Sequence, residues 1–292
     1  MKRVLSLMLG VLLLFSSTGL CETIEAFGMQ IPPDTRLLDF DAAGIQVTDA
    51  DALAALMDQL PALEEVRLYD SAMAREDMER LFDAYPQVFF GWTLHFATHT
   101  VRTDATAFST LHHSTIKDKK DYEHTNKELS QLRMCKHLRA LDLGHNLLTD
   151  ISFVSELPQL RVLIIAPNYD LADLSPLASL EHLEYLEVFS TDTRSVEALA
   201  GMTHLMDLNL ACSHYLHDLS PLYELPGLER FWCGRGGIDQ EEQERMEEKH
   251  PDCQFDWINT PTDGGWREHP RYEIVREMFA KGEYIAFDAM EE

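Results

Sequence analysis

An α/β solenoid, coiled from stacked turns with parallel strands along one side, is the fold this sequence predicts, and three observations predict it. Leucines recur at a nearly fixed spacing: Leu138, Leu160, Leu183, Leu205 and Leu228 follow one another at steps of 22, 23, 22 and 23 residues. Two more apolar columns run in register behind them. The first holds Leu141, Leu163, Leu186, Leu208 and Phe231, the second Leu143, Ile165, Val188, Leu210 and Cys233. Two longer segments, 63–92 and 228–257, match each other at a constant offset of 165 residues and frame the row.

The turns read HLRALDLGHN, QLRVLIIAPN, HLEYLEVFST, HLMDLNLACS and GLERFWCGRG, closing on the polar positions Asn146, Asn168, Thr191, Ser213 and Gly236. That is the L-x-x-L-x-L-x-x-N cadence of a leucine-rich repeat. Between the strands, DLSPLASLEHL and DLSPLYELPGL repeat a D-[IL]-S-P-L pattern that DISFVSELPQL shares in its first three positions, and from which Ser195, Val196 and Glu197 depart, so an irregular outer side is expected there. On these motifs the chain resembles bacterial extracellular leucine-rich-repeat proteins of the internalin-like, short-repeat kind. The resemblance implies an architecture built for binding, with parallel strands on the concave face.

No turn is stable alone. Its five or so large apolar side chains are worth roughly 1.5–3 kcal/mol each when buried, against about 1–2 kcal/mol for each of some twenty backbones fixed. Stacking lets neighbours share buried surface, so the array is one cooperative object with special end units. The framing segments supply those ends. REDMERLFDAY and DQEEQERMEEKH are rich in helix formers and stop at Pro86 and Pro251, and VFFGW and CQFDW follow as strands. LLDF and ADALAALMDQL add a strand and a helix before them. The expected organisation is a signal peptide at 1–21, long repeats forming a cap at 22–92, a flap or hairpin insertion at 93–137, the array at 138–257, and a linker with a capping helix at 258–292. Tyr272, Val275 and Phe279 give that last helix its apolar spacing, and it is expected to dock on the array's end.

Residues 1–21 carry Lys2 and Arg3, an apolar stretch from Val4 to Phe15 and a small-residue exit, the grammar of a secretory signal. The expected location is therefore secreted, extracellular or cell-surface, with Cys21 a weaker candidate for lipid attachment because Leu20 before it is large. No stretch is long and apolar enough to predict a transmembrane span. A formal charge of -26 argues against nucleic acid and anionic membranes and favours solubility or a cationic partner. Cys135, Cys233 and Cys253 fall in inward columns and Cys212 outside them, so free thiols are expected rather than disulfides.

His137, His182 and His204 hold one repeat position and read as a surface ladder; His95 and His99 could share a strand face. No zinc-ligand spacing, G-x-S-x-G or phosphate loop is present, so no catalytic residue, metal or cofactor is expected. The stretch TDGGWREHPRY stands out from the repeats, either as a ligand-gripping loop with Trp266, Arg267 and His269 or with Trp266 covering the last repeat's core.

Side chains between the inward columns should line the concave face. Ile164, Tyr185, Phe189 and Trp232 would form an apolar-aromatic cluster there, rimmed by Glu187, Asp207, Asn209 and Arg230. These eight are the expected binding residues, unless the flap or the C-terminal helix covers them. The function expected is a monomeric, non-enzymatic protein that recognises a protein or cell-surface polymer. A scaffold in a cell-surface assembly, or a hydrolase using residues such as His112 and His269, are the alternatives.

Overall fold

The computed structural model describes residues 23–96, 99–111 and 123–290; the expected signal segment with Cys21, and His112 and His113, lie outside the described residues. The chain opens with an antiparallel hairpin, β1 (Ile24–Ala26) and β2 (Met29–Ile31). Two long repeats follow, β3 (Leu37–Asp39) with α1 (Ala50–Met57) and β4 (Glu65–Arg67) with α2 (Arg75–Ala84), closing on β5 (Phe89–Gly91), with the strands parallel in that order. Asp49 starts α1 by accepting from the Ala52 N–H at 2.9 Å. Leu53, Leu56 and Met57 then fall on the buried face, at helical spacing.

A second antiparallel hairpin, β6 (Thr93–Phe96) and β7 (His99–Arg102), packs Leu94, Phe96 and Val101 into the core. The chain then enters a seven-stranded parallel sheet. Its strands are β8 (Ala107–Ser109), β9 (Ala140–Asp142), β10 (Val162–Ile164), β11 (Tyr185–Glu187), β12 (Asp207–Asn209), β13 (Arg230–Trp232) and β14 (Gln254–Asp256). Helix α3 (Asn126–Leu129), running into a 3₁₀ turn at Ser130–Met134, returns β8 to β9; α4 (Gln240–Lys249) returns β13 to β14; α5 (Pro270–Lys281) ends the fold. The described residues of 93–137 thus hold a hairpin and then a strand, β8, that pairs with β9 as part of the array. Phe108 pairs with Leu141 because Ala107, Phe108 and Ser109 present the same alternation as the later strands.

The strand register is the one the spacing demands. Leu141, Leu163, Leu186, Leu208 and Phe231 are mutual partners across β9 to β13, and Phe255 continues the row. One continuous hydrophobic core runs from Ile31 to Met246. Asn168 explains the polar turn position: its side-chain carbonyl accepts from the Leu148 N–H at 3.0 Å, and its amide donates to the carbonyls of Leu143 and Ile165. One buried side chain thereby satisfies backbone groups of two adjacent turns. The residue just before that position sits in the left-handed region at His145, Ser190, Cys212 and Arg235. On the convex side Asp150, Asp173 and Asp218 each accept from a serine N–H and start a short 3₁₀ turn. The turn at Ser195 is not irregular after all. The Ser195 hydroxyl accepts from the Glu197 N–H at 3.2 Å in the aspartate's stead, and a 3₁₀ turn forms at Glu197–Leu199.

Candidate functional site

A repeat array offers its concave face for contact, and here that face divides into two stretches. Over β8 to β13 it is largely covered, with a groove of about 350 Å³ left beside Ile164, Phe189 and Tyr272. None of Ile164, Tyr185, Glu187, Phe189, Asp207, Asn209, Arg230 and Trp232 is more than 7% exposed. The chain's own C-terminal segment lies on them, so the expectation that these eight face a partner, and that α5 docks on the array's end, is corrected. The physical reason is the composition of the outward columns. Ala107, Ala140, Val162, Tyr185 and Trp232 form an apolar floor, and Trp266, Ile274, Val275, Met278 and Phe279 are the complementary surface the chain itself carries. The linker before α5 crosses the small-residue column, and a Cβ on Gly234 would lie 2.1 Å from the Asn259 carbonyl oxygen.

Charge is handled in the same place. Glu187 is fully buried and receives bidentate hydrogen bonds from Arg267 at 2.8 Å each, one from the Trp266 indole at 3.0 Å and one from the Tyr185 hydroxyl. Asp207 pairs with Arg271 at 2.9 Å and with Arg230 at 3.1 Å, and Arg230 stacks 4.2 Å from the Trp266 ring centre. Asn209 and Trp232 donate to the linker carbonyls of Pro261 and Asp263. Burial pushes the Asp142 carboxyl up to about 6, against the pull of hydrogen bonds from the Gly144 N–H and the Ser109 hydroxyl. Burial also lowers His269 to about 4, with Arg230 and Arg271 adding to the effect. Neither reading of TDGGWREHPRY describes the outcome: Trp266 packs, but against Tyr185, Trp232 and Glu187 on the concave floor rather than over the last repeat's core, and Arg267 is bound to Glu187 of the same chain.

Over β3 to β5 the concave face is open. A groove of about 760 Å³ lies there, lined among others by Asp39, Glu65, Arg67, Tyr69, Phe89 and Arg102. Arg67 bridges Glu65 at 2.7 Å and Asp39 at 3.1 Å, and its side chain keeps 41% of its surface exposed. Tyr69 reaches across β5 to a position only a glycine permits, since a Cβ on Gly91 would come within 2.6 Å of its ring. Arg102 stacks on the ring at 3.6 Å from the centroid and is itself held bidentate by Asp104. Asp41 accepts the Tyr69 and Asp70 N–H groups and fixes the turn that carries the ring. Burial, with a hydrogen bond to Asp104, raises the Tyr69 hydroxyl to about 12. Reading the sequence for site residues stopped at the short repeats and missed this stretch. The 165-residue offset held the signal, because it sets Glu65 and Arg67 in the strand positions of Arg230 and Trp232.

His99 is buried beside His124, their ring nitrogens 3.3 Å apart, while His95 points to the opposite, exposed side; the two do not share a face because His99 pairs with Phe96. His137, His182 and His204 are exposed on the array's edge. The four cysteines of the described residues are free, and burial raises Cys233 and Cys253 to about 12, which leaves them weak nucleophiles. Among the described residues, no group of three or more His, Cys, Asp or Glu is placed to hold a metal ion, and no helix is long and apolar enough to cross a membrane.

No family model matches the chain, and no curated protein matches it. Solved structures similar to it include two internalins of Listeria monocytogenes. One, inlF, is 20% identical with a TM-score of 0.46, covering 73% of this chain and 65% of its own; the other, inlC2, is 18% identical with a TM-score of 0.42, covering 73% and 76%. A leucine-rich-repeat protein of Leptospira interrogans is 19% identical with a TM-score of 0.43, covering 69% of this chain and 50% of its own. This chain thus spans slightly less than two thirds of the first internalin's length. The strand register above defines the class directly: a leucine-rich-repeat α/β solenoid with parallel strands lining its concave side.

Proposed function

We propose that the protein is an exported, non-enzymatic recognition module that holds a protein or surface polymer in the open stretch of its concave face. One observation carries this reading. The strands β3 to β5 present a groove with a positioned aromatic ring, while the eight outward residues expected to bind on the short repeats are buried beneath the chain's own C-terminal segment. The eight concave residues of the short repeats serve, on this reading, as an internal receptor for the C-terminal segment. Export rests on the charged and apolar pattern of residues 1–21.

The test is affinity capture from the envelope fraction of the producing organism, comparing the parent with Tyr69→Ala plus Arg102→Ala. A partner retained by the parent and by the convex-side variant Glu248→Ala, but lost from the groove variant, is the expected result. Equal retention by all three would remove the groove from the mechanism.

A further inference from the structure

The covered and open stretches share a carboxylate pattern, and the covered one shows what such a pattern holds. On β11 and β12, Glu187 stands at the third strand position and Asp207 at the first position of the next strand. On β3 and β4, Asp39 and Glu65 stand at those same two positions, on the same diagonal across adjacent parallel strands. Asp207 takes one guanidinium from its own sheet, Arg230, and a second from the segment laid over it, Arg271; Glu187 takes Arg267 from that segment. Asp39 and Glu65 have the in-sheet guanidinium, Arg67, and among the described residues no segment brings a second arginine to them. An aromatic ring accompanies the arginines in both stretches: Arg267 lies 4.2 Å over Tyr272, and Arg102 lies 3.6 Å over Tyr69.

We infer that the open sheet face of β3 to β5 docks an arginine-bearing, aromatic-flanked peptide segment of a partner protein, in the manner in which β11 and β12 dock residues 266–272. The inference rests on the proposed recognition role and narrows it to a cationic partner. Charge complementarity carries it further. Six carboxylates line the groove against the two guanidiniums of Arg67 and Arg102, with Arg36 bound to Glu64 at the rim. Arg67 is engaged by both members of the diagonal, so an incoming guanidinium competes with it or joins it, as Arg271 joins Arg230 on Asp207. Leu37 at 41% exposure and the half-buried Phe89, at the first positions of β3 and β5, give the partner's aromatic side chains apolar surface beside the charges.

The test is fluorescence anisotropy of the full chain with a labelled Arg-Trp-Arg-Trp-Arg-Trp hexapeptide, against the matched Glu-Trp hexapeptide. The arginine peptide is expected to bind and to weaken as salt rises. Asp39→Asn with Glu65→Gln should weaken it about tenfold, equivalent to about 1.4 kcal/mol. Arg67→Gln, which frees the diagonal, should tighten it by roughly threefold or more. Glu247→Gln with Glu248→Gln removes the same charge from the far side and should leave binding unchanged. Equal binding of the acidic peptide, indifference to the Asp39 and Glu65 changes, or the same loss from the far-side pair would each overturn the inference. The opposite signs expected of Asp39→Asn and Arg67→Gln separate recognition from misfolding. If envelope capture depends on Tyr69 and Arg102 while no arginine peptide binds, the cationic partner falls and the recognition role stands.

Discussion

The two stretches of the concave face are built alike and end differently. Both are parallel strands three residues long, with inward aliphatics in register and outward side chains at the first and third positions. Over β8 to β13 the outward first positions are Ala107, Ala140, Val162, Tyr185, Asp207 and Arg230, mostly apolar, and the chain's own tail covers them. Over β3 to β5 they are Leu37, Glu65 and Phe89, so Glu65 separates the two apolar side chains, and with Asp39 and Arg67 at the third positions there is no continuous apolar floor. Exposed apolar area costs about 25 cal/mol per Å², so an apolar floor gains from a cover and a charged one does not. The buried carboxylates of the covered stretch follow from that cover. Once Tyr185 and Trp232 are sealed, Glu187 and Asp207 are sealed with them, and the tail has to bring arginines.

The largest effect that would break this comparison is in the core that both stretches share. Leu186→Asp puts a charge at a fully buried position, and a loss of ~4 kcal/mol or more is expected, abolishing cooperative thermal unfolding. A variant that melts like the parent would show that the turns do not stack as one unit. Next comes the covered stretch alone. Glu187→Ala strands Arg267 and the Trp266 indole, and removing one partner of a buried pair costs roughly 3–5 kcal/mol. Its near-ultraviolet circular dichroism, which reports the packing of Trp266 and Trp232, should weaken together with the melting temperature; an unchanged signal would argue that the tail does not depend on that carboxylate.

A smaller effect separates the stretches by pH. Asp142 holds its proton in the folded protein up to about 6, whereas it ordinarily ionises near 3.8. Between those values the folded state binds more protons than the unfolded one, so this group's contribution makes stability fall as pH rises through the window, by on the order of 2–3 kcal/mol in all. Asp207, raised to about 6 by burial against the pull of Arg230 and Arg271, acts in the same direction. Denaturant unfolding at pH 4.5 and 7 should show the parent losing more stability across that interval than Asp142→Asn does; identical slopes would place the Asp142 carboxyl in a wetter site. The smallest effect belongs to the open stretch. Asp39→Asn with Glu65→Gln should move stability by no more than about 0.5 kcal/mol, because the pairs are partly exposed and screened. A large loss of melting temperature would mean that this face is structural rather than free for contact.

Much of the architecture was legible because it is written at short range. The column of Leu141, Leu163, Leu186, Leu208 and Phe231 appears in the spacing and returns as the strand register, and Pro86 and Pro251 mark the ends of α2 and α4. The concave residues were legible as a set of outward positions, but their exposure was not. Arg267 and Glu187 are 80 positions apart, and no periodicity links them. Likewise β8 joined the array unannounced, since the 33 residues from Ala107 to Ala140 break the 22–23 spacing.

By itself, then, the sequence determined which side chains turn inward, because burial of repeated aliphatics is a local pattern that only stacking can satisfy. Tertiary structure alone decided which outward side chains meet water. That outcome depends on where the thirty-odd residues after β14 come to rest, and they rest where apolar area and buried charge are both answered, while Asp39, Glu65 and Arg67 on the other stretch stay partly exposed.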